Sequence, residues 1–121
     1  MVKVPGFILK KLYVKNSLKN IEGGFALDMK NILAEATIIA PVKIIVDGKP
    51  LSEKDITVVV DGKEMPTTVL CAQAPMKFAL QKLVNVKVKG VVLKPGKHKL
   101  QIDTATKEYD KISFVVEDEI K

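Results

Sequence analysis

The tetrapeptide Val-Asp-Gly-Lys occurs twice, at Val46–Lys49 and Val60–Lys63. Each copy closes a short run rich in β-branched residues, Val42-Lys43-Ile44-Ile45-Val46 and Thr57-Val58-Val59-Val60. Such side chains pack well on a pleated surface. Asp-Gly directly after them marks a strand ending in a tight turn, because glycine reaches positive φ without a steric penalty. The same signal twice, about one strand and a turn apart, predicts an all-β chain built from hairpins. On this reading the two runs form a hairpin connected through Leu51–Asp55.

Other segments alternate with a period of two. Phe25, Leu27 and Met29 share one face, as do Val84, Val86 and Val88. So do His98, Leu100 and Ile102, and then Ile112, Phe114 and Val116 in the last strand. Thr67–Cys71 reads as a further short strand. Two stretches are ambiguous between helix and strand, 28–40 and 75–84. In the first, Met29, Ile32, Leu33 and Ala36 fit a helical stripe with Asp28 as cap. Ala36-Thr37-Ile38-Ile39, closed by Pro41, instead favours a strand, and strand is preferred because strands surround it. In the second, Met76, Leu80 and Leu83 fit a helical face, while Met76–Leu80 also reads as a strand turned by Gln81-Lys82. The expected architecture is an antiparallel β-sandwich of seven or eight short strands, immunoglobulin-like or jelly-roll-like. One domain over residues 1–121 is expected from length.

The chain is 47% hydrophobic, enough for a core without staples. Cys71 is the only cysteine, so no internal disulfide can form, which fits a reducing compartment. The N-terminal apolar run Phe7-Ile8-Leu9 is too short for a secretory leader. No stretch approaches the roughly 20 apolar residues of a membrane span. A cytoplasmic protein is therefore expected. The 20 Lys and Arg positions are all lysine, and the net charge is +6. Lysine is a point charge without the planar fork that grips phosphates and guanine edges. Phe7, Tyr13, Phe25, Phe78, Tyr109 and Phe114 are too few for a base-stacking platform. Sequence-specific nucleic-acid recognition is thus disfavoured.

Between Met65 and Ile102 there are seven lysines and no acidic residue. If 83–89 and 97–103 pair as a hairpin, Lys87, Lys89, Lys97 and Lys99 share its outer face. That face would attract an anion or an acidic partner. The plainer reading, which is preferred, is a solvated face whose lysines guard an edge strand. His98 is the only histidine. No His or Cys cluster joins it to hold a metal, and no calcium-loop spacing is present. Its ring is expected to be satisfied by a carbonyl at the strand start, the alternative being a polar contact to a ligand at an interface. Cys71, between Leu70 and Ala72, is expected to act as a small hydrophobe and not as a nucleophile. A triad through Ser17 and His98 has no support in spacing. Glu108, Asp110 and Asp118 cannot be placed from sequence. Gly23-Gly24 and Pro95-Gly96 read as turns. No catalytic, metal or cofactor set is expected.

The order of turns carries a resemblance. Ser17–Phe25, Lys30-Asn31, Val46–Lys49, Leu93–His98 and Ile112–Asp118 fall in the order seen in small β-sandwich proteins related to the beta subunit of C-glycoside deglycosidase. The similarity covers about Phe7 to Asp118. It implies an accessory subunit beside a larger barrel-shaped alpha subunit that carries the metal and the main chemistry, in sugar metabolism. No catalytic residue is carried over. Small relatives bearing a hydroxymethylglutaryl-CoA reductase label are set aside here, because that reaction needs a nucleotide-binding domain and several acid–base residues.

The expected function is a non-catalytic accessory subunit or binding module, partnered by a larger protein subunit or by further copies of itself. The alternative is a small stand-alone enzyme on a sugar or acyl substrate, with His98 as acid or base. A third reading is nonspecific anion or nucleic-acid binding through the lysines.

Overall fold

The computed structural model describes residues 4–121; Met1, Val2 and Lys3 of the N-terminal stretch lie outside the described residues. The chain opens with a one-turn helix α1 (Gly6–Leu9) that runs into a 3-10 turn at Lys10–Leu12. Eleven strands follow among the described residues. They are β1 (Lys19–Ile21), β2 (Gly24–Lys30), β3 (Ala36–Ile38), β4 (Lys43–Val46), β5 (Lys49–Pro50) and β6 (Ile56–Val60). Then come β7 (Lys63–Pro66), β8 (Met76–Phe78), β9 (Leu83–Lys89), β10 (Gly96–Thr106) and β11 (Asp110–Ile120).

All pairings between these strands are antiparallel. One sheet has the order β1-β2-β9-β6-β7. The other runs β5-β4-β10-β3-β8, with β11 along the free side of β10. The long β10 serves two partners on one side, β4 at Leu100–Asp103 and β3 at Thr106. Inward side chains of both sheets meet in one apolar core that includes Phe25, Leu27, Val86 and Val88 from the first sheet and Ile44, Leu100, Ile102 and Phe114 from the second. This is the all-β sandwich that the alternation predicts.

The strand count exceeds the expected seven or eight, and β10 and β11 are not short: each has 11 residues. The reason lies in the two Val-Asp-Gly-Lys turns. Each closes its own hairpin instead of joining one run to the other. Asp47 and Gly48 have φ of 50° and 84°, and Asp61 and Gly62 have 53° and 78°. Two successive positive-φ residues are the signature of a type I′ turn, whose twist matches that of the flanking strands. The first turn joins β4 to β5 and the second joins β6 to β7, in opposite sheets. Leu51–Asp55 is therefore a crossover between sheets, not a hairpin connection.

Of the two ambiguous stretches, 28–40 contains the end of β2 and the short β3, and 75–84 contains β8 and the start of β9. Gln81, at φ 70°, makes the reversal. Thr67–Cys71 is not a strand: Thr67–Val69 forms a 3-10 turn. Buried Thr67 Oγ1 accepts from the Val42 N–H at 2.6 Å, so the side chain binds backbone where a ladder partner was expected. The N-terminal segment is helical at first, with Leu9 and Leu12 turned into the core and Phe7 left 72% exposed.

Candidate functional site

Three polar features and one cavity stand out. The first is His98, at the start of β10. Its Nδ1 lies 2.7 Å from Asp47 Oδ2 and its Nε2 lies 2.7 Å from the Lys94 carbonyl oxygen. A neutral imidazole has one N–H, so only the imidazolium can donate to both oxygens. The Lys94 carbonyl first, and then the Asp47 carboxylate, raise the histidine above its usual range. Asp47 in turn accepts from the Lys99 N–H at 2.9 Å and from His98, and these two bonds hold its carboxyl below the usual value. The first Val-Asp-Gly-Lys turn is thereby clamped onto β10. The second makes a parallel connection: Asp61 pairs with Lys82 Nζ at 2.8 Å.

The second feature is buried Asp118 on β11. Inward alternation along this strand continues through Ile112, Phe114, Asp118 and Ile120. A carboxylate on that face must be compensated. Tyr13 Oη donates to Asp118 Oδ2 at 2.5 Å, the Leu18 N–H donates to the same oxygen at 3.2 Å, and the Glu119 N–H donates to Oδ1 at 2.8 Å. Burial, and next the bond to Asp118, pushes the Tyr13 phenol upward. Sequence reading passed over this pair because 105 positions separate its members. The available signal was an acidic residue at an apolar position of a period-two strand.

Above this pair lies the third feature, an open hollow of about 600 Å³. Lys10, Tyr13 and Lys15 from the N-terminal segment face Val115, Val116 and Glu117 of β11 across it, with Lys99 at the rim.

The cavity, about 120 Å³, lies under α1 at one end of the sandwich, lined by apolar groups that include Leu9, Leu33, Ile38, Phe78 and Ile112. Buried Asn31 borders it with every amide group used. Its Nδ2 donates to the Ala34 and Phe78 carbonyls, each at 2.7 Å, and its Oδ1 accepts from the Leu33 and Ala34 N–H groups. Among the described residues no buried side-chain nitrogen or oxygen lacks a partner.

The four lysines Lys87, Lys89, Lys97 and Lys99 do not form one face. The strand of Lys87 and Lys89 pairs with β2 and β6, whereas that of Lys97 and Lys99 pairs with β11, and in part with β4, in the other sheet. Both pairs alternate with core residues and so point outward from opposite sides of the sandwich. Lys87 is also paired with Glu64 at 3.0 Å, and the register sets Lys97 opposite Glu119 and Lys99 opposite Glu117. The expected hairpin fails because β9 is the central strand of its sheet and both its sides are taken. Cys71 is half-buried in a tight Cys71–Ala74 loop. Ser17 Oγ accepts from the Asp28 N–H at 3.0 Å, a bond that fixes the segment ahead of β1. Glu108 accepts from Thr37 N–H and Oγ1, each at 2.8 Å, at the tip of the β10–β11 hairpin. Among the described residues no group of three or more His, Cys, Asp or Glu side chains could hold a metal ion, and no helix is long and apolar enough to cross a membrane.

The sequence model of the family described as "Hydroxymethylglutaryl-CoA reductase, N-terminal domain" matches residues 8–121. No curated protein matches the chain. The family match overturns the resemblance to the C-glycoside deglycosidase beta subunit, and the inference of sugar metabolism falls with it. The segments that carried the resemblance are turns and alternating strands, which specify a β-sandwich and not one family of them. Setting the reductase label aside on size was also mistaken as a test of family. The lack of room for a nucleotide-binding domain bears on activity, and an N-terminal domain is not required to contain one.

Proposed function

The chain belongs to the hydroxymethylglutaryl-CoA reductase N-terminal domain family, and on that premise we propose that it is a non-catalytic β-sandwich domain acting with a larger catalytic unit. The observation that carries this is the extent of the match: residues 8–121 correspond to an N-terminal domain, a part defined by its attachment to something larger. The internal chemistry supports it. His98 spends both ring nitrogens on its own chain, and Tyr13 spends its hydroxyl on Asp118. Both are groups a self-contained active site would have to free before using them as acid or base. With Cys71 its single thiol, the domain is best suited to the cytoplasm.

The test uses the whole purified chain. Assayed alone for hydroxymethylglutaryl-CoA reduction it should give no turnover. Mixed with the reductase catalytic unit of the same organism, it should sediment as a complex. Turnover by the chain alone that disappears in His98→Ala would transfer the chemistry to this domain. A chain that sediments separately from that unit at every concentration would remove the accessory role.

A further inference from the structure

We propose that the hollow beside β11 is a docking groove for a short, extended, acid-bearing peptide segment, which pairs with the backbone of Val115 and Glu117. The proposal rests on the accessory reading above and names how the larger unit is held. The orientation of the edge follows from hydrogen bonds on the far side of β10. The Lys99 carbonyl accepts from the Asp47 N–H at 2.9 Å, and the Lys99 N–H donates to the Asp47 carboxylate. Both backbone groups of Lys99 therefore point away from β11. Lys99 stands opposite Glu117, so that pair is of the non-hydrogen-bonded kind, and the N–H and C=O of Glu117 must point away from β10. The period of two gives Val115, opposite Gln101, the same orientation. Among the described residues no hydrogen bond is formed by these two outward N–H groups or the two outward C=O groups. Unpaired groups on a strand edge are a template for an added strand.

The edge is open only here. Toward Ser113 it is closed by α1, where a Cβ on Gly6 would stand 4.0 Å from the Ser113 oxygen. Beyond Glu117 the Glu119 N–H is already taken by the Asp118 carboxylate. The open stretch from Val115 to Glu117 spans about 7 Å, enough for about three extended residues. A full-length β11 from a second copy could not lie along it. Charge selects the guest. Lys10 and Lys15 flank the groove and Lys99 stands at its rim; none forms an ion pair among the described residues. Glu117 is the one acidic lining residue and leaves the groove net positive. The Val115 side chain and the Tyr13 ring give it apolar lining, while the Val116 side chain turns to the core. Acidic side chains alternating with apolar ones match that arrangement.

The test is titration of the ¹⁵N-labelled full chain with two synthetic peptides, acetyl-Val-Glu-Val-Asp-Val-amide and its basic counterpart acetyl-Val-Lys-Val-Lys-Val-amide. The acidic peptide should shift the amides of Val115 and Glu117 saturably, with at least tenfold lower Kd than the basic one. Val115→Pro removes an outward N–H without touching the β10 ladder and should weaken the acidic peptide at least tenfold. The double variant Lys10→Glu/Lys15→Glu, at two exposed positions, should do the same with the rest of the spectrum unchanged, and it keeps the test decisive if the proline variant misfolds. Equal Kd for the two peptides, shifts confined to β1 or β7, or no saturable shift would overturn the groove. Sedimentation of the chain with the larger unit is read separately, so failure of the groove with the complex intact is told apart from failure of the accessory role.

Discussion

Tyr13 donates its phenol hydrogen to Asp118 at 2.5 Å and so ties the N-terminal segment to the end of the last strand. Neither group is well placed alone. Asp118 is a buried carboxylate, and Tyr13 bridges to Met29 of β2 in the opposite sheet. The bond thus joins the two layers at their open side. Tyr13→Phe keeps the ring and removes one donor to a charged acceptor. It should lower stability by about 2 kcal/mol in urea unfolding monitored by circular dichroism. An unchanged midpoint would show that water replaces the phenol at no cost.

The His98–Asp47 clamp makes stability depend on pH, and each sign follows from its direction of shift. The histidine is raised above 6.5, so its contribution is complete below pH 6.5 and is lost as pH rises through the higher folded value. The aspartate is lowered below 3.8, so its contribution is present above pH 3.8 and is lost as pH falls through the lower folded value. Asp47→Asn keeps an oxygen for the Lys99 N–H and a residue type that tolerates positive φ, while removing the charge. The Tm gap between wild type and this variant should be widest between pH 4 and 6.5. It should narrow above that range, and a constant gap from pH 4 to 9 would refute the clamp.

Gly24 allows β2 to lie against β9. A Cβ there would sit 1.9 Å from the Val88 carbonyl oxygen and 2.9 Å from Lys89 Cα, both backbone atoms that a rotamer change cannot move. Gly24→Ala should cost about 3 kcal/mol through displacement of the strand pair. The neighbouring Gly23, at φ 77° with open space at its Cβ position, suffers from backbone strain alone. Gly23→Ala should cost about 1 kcal/mol. Reversal of that order in thermal unfolding would contradict the packing.

Asn31 holds the 31–34 loop with three side-chain hydrogen bonds to Leu33 and Ala34 and fastens it to the end of β8 with a fourth, to the Phe78 carbonyl. Asn31→Ala takes the amide away from the buried Phe78 carbonyl and from the half-buried Ala34 carbonyl and Leu33 and Ala34 N–H groups, and should destabilise by about 3 kcal/mol. Hydrogen exchange at Leu33 and Ala34 should accelerate more than exchange in β10. Uniform acceleration throughout the chain would place the effect elsewhere.

The gap between sequence and structure has identifiable causes. β2, β9 and β10 were legible because Phe25-Leu27-Met29, Val84-Val86-Val88 and Leu100-Ile102 alternate and one face of each is buried. Both turns were legible because Asp-Gly is a local signal. The pairing of β6 with β9, and of β4 with β10, was not. A strand's side-chain period says which face is apolar and nothing about which neighbour it meets, so the hairpin drawn between β9 and β10 was as compatible with the pattern as the truth. The Thr67 turn was misread because its β-branched composition suits a strand, while its hydroxyl found a backbone partner only on folding.

The residue order alone determined that this chain forms alternating strands, where its Asp-Gly turns fall, and that it offers a single thiol and a single imidazole. These are properties of neighbours along the backbone, fixed by sterics and by the spacing of apolar groups. Which strands become partners, that Asp118 is buried against Tyr13, and that the edge at Val115 and Glu117 is left open were decided only in three dimensions. Each depends on contacts between segments far apart in the chain, 105 positions for Tyr13 and Asp118, whose selection comes from filling one shared core and not from any local preference.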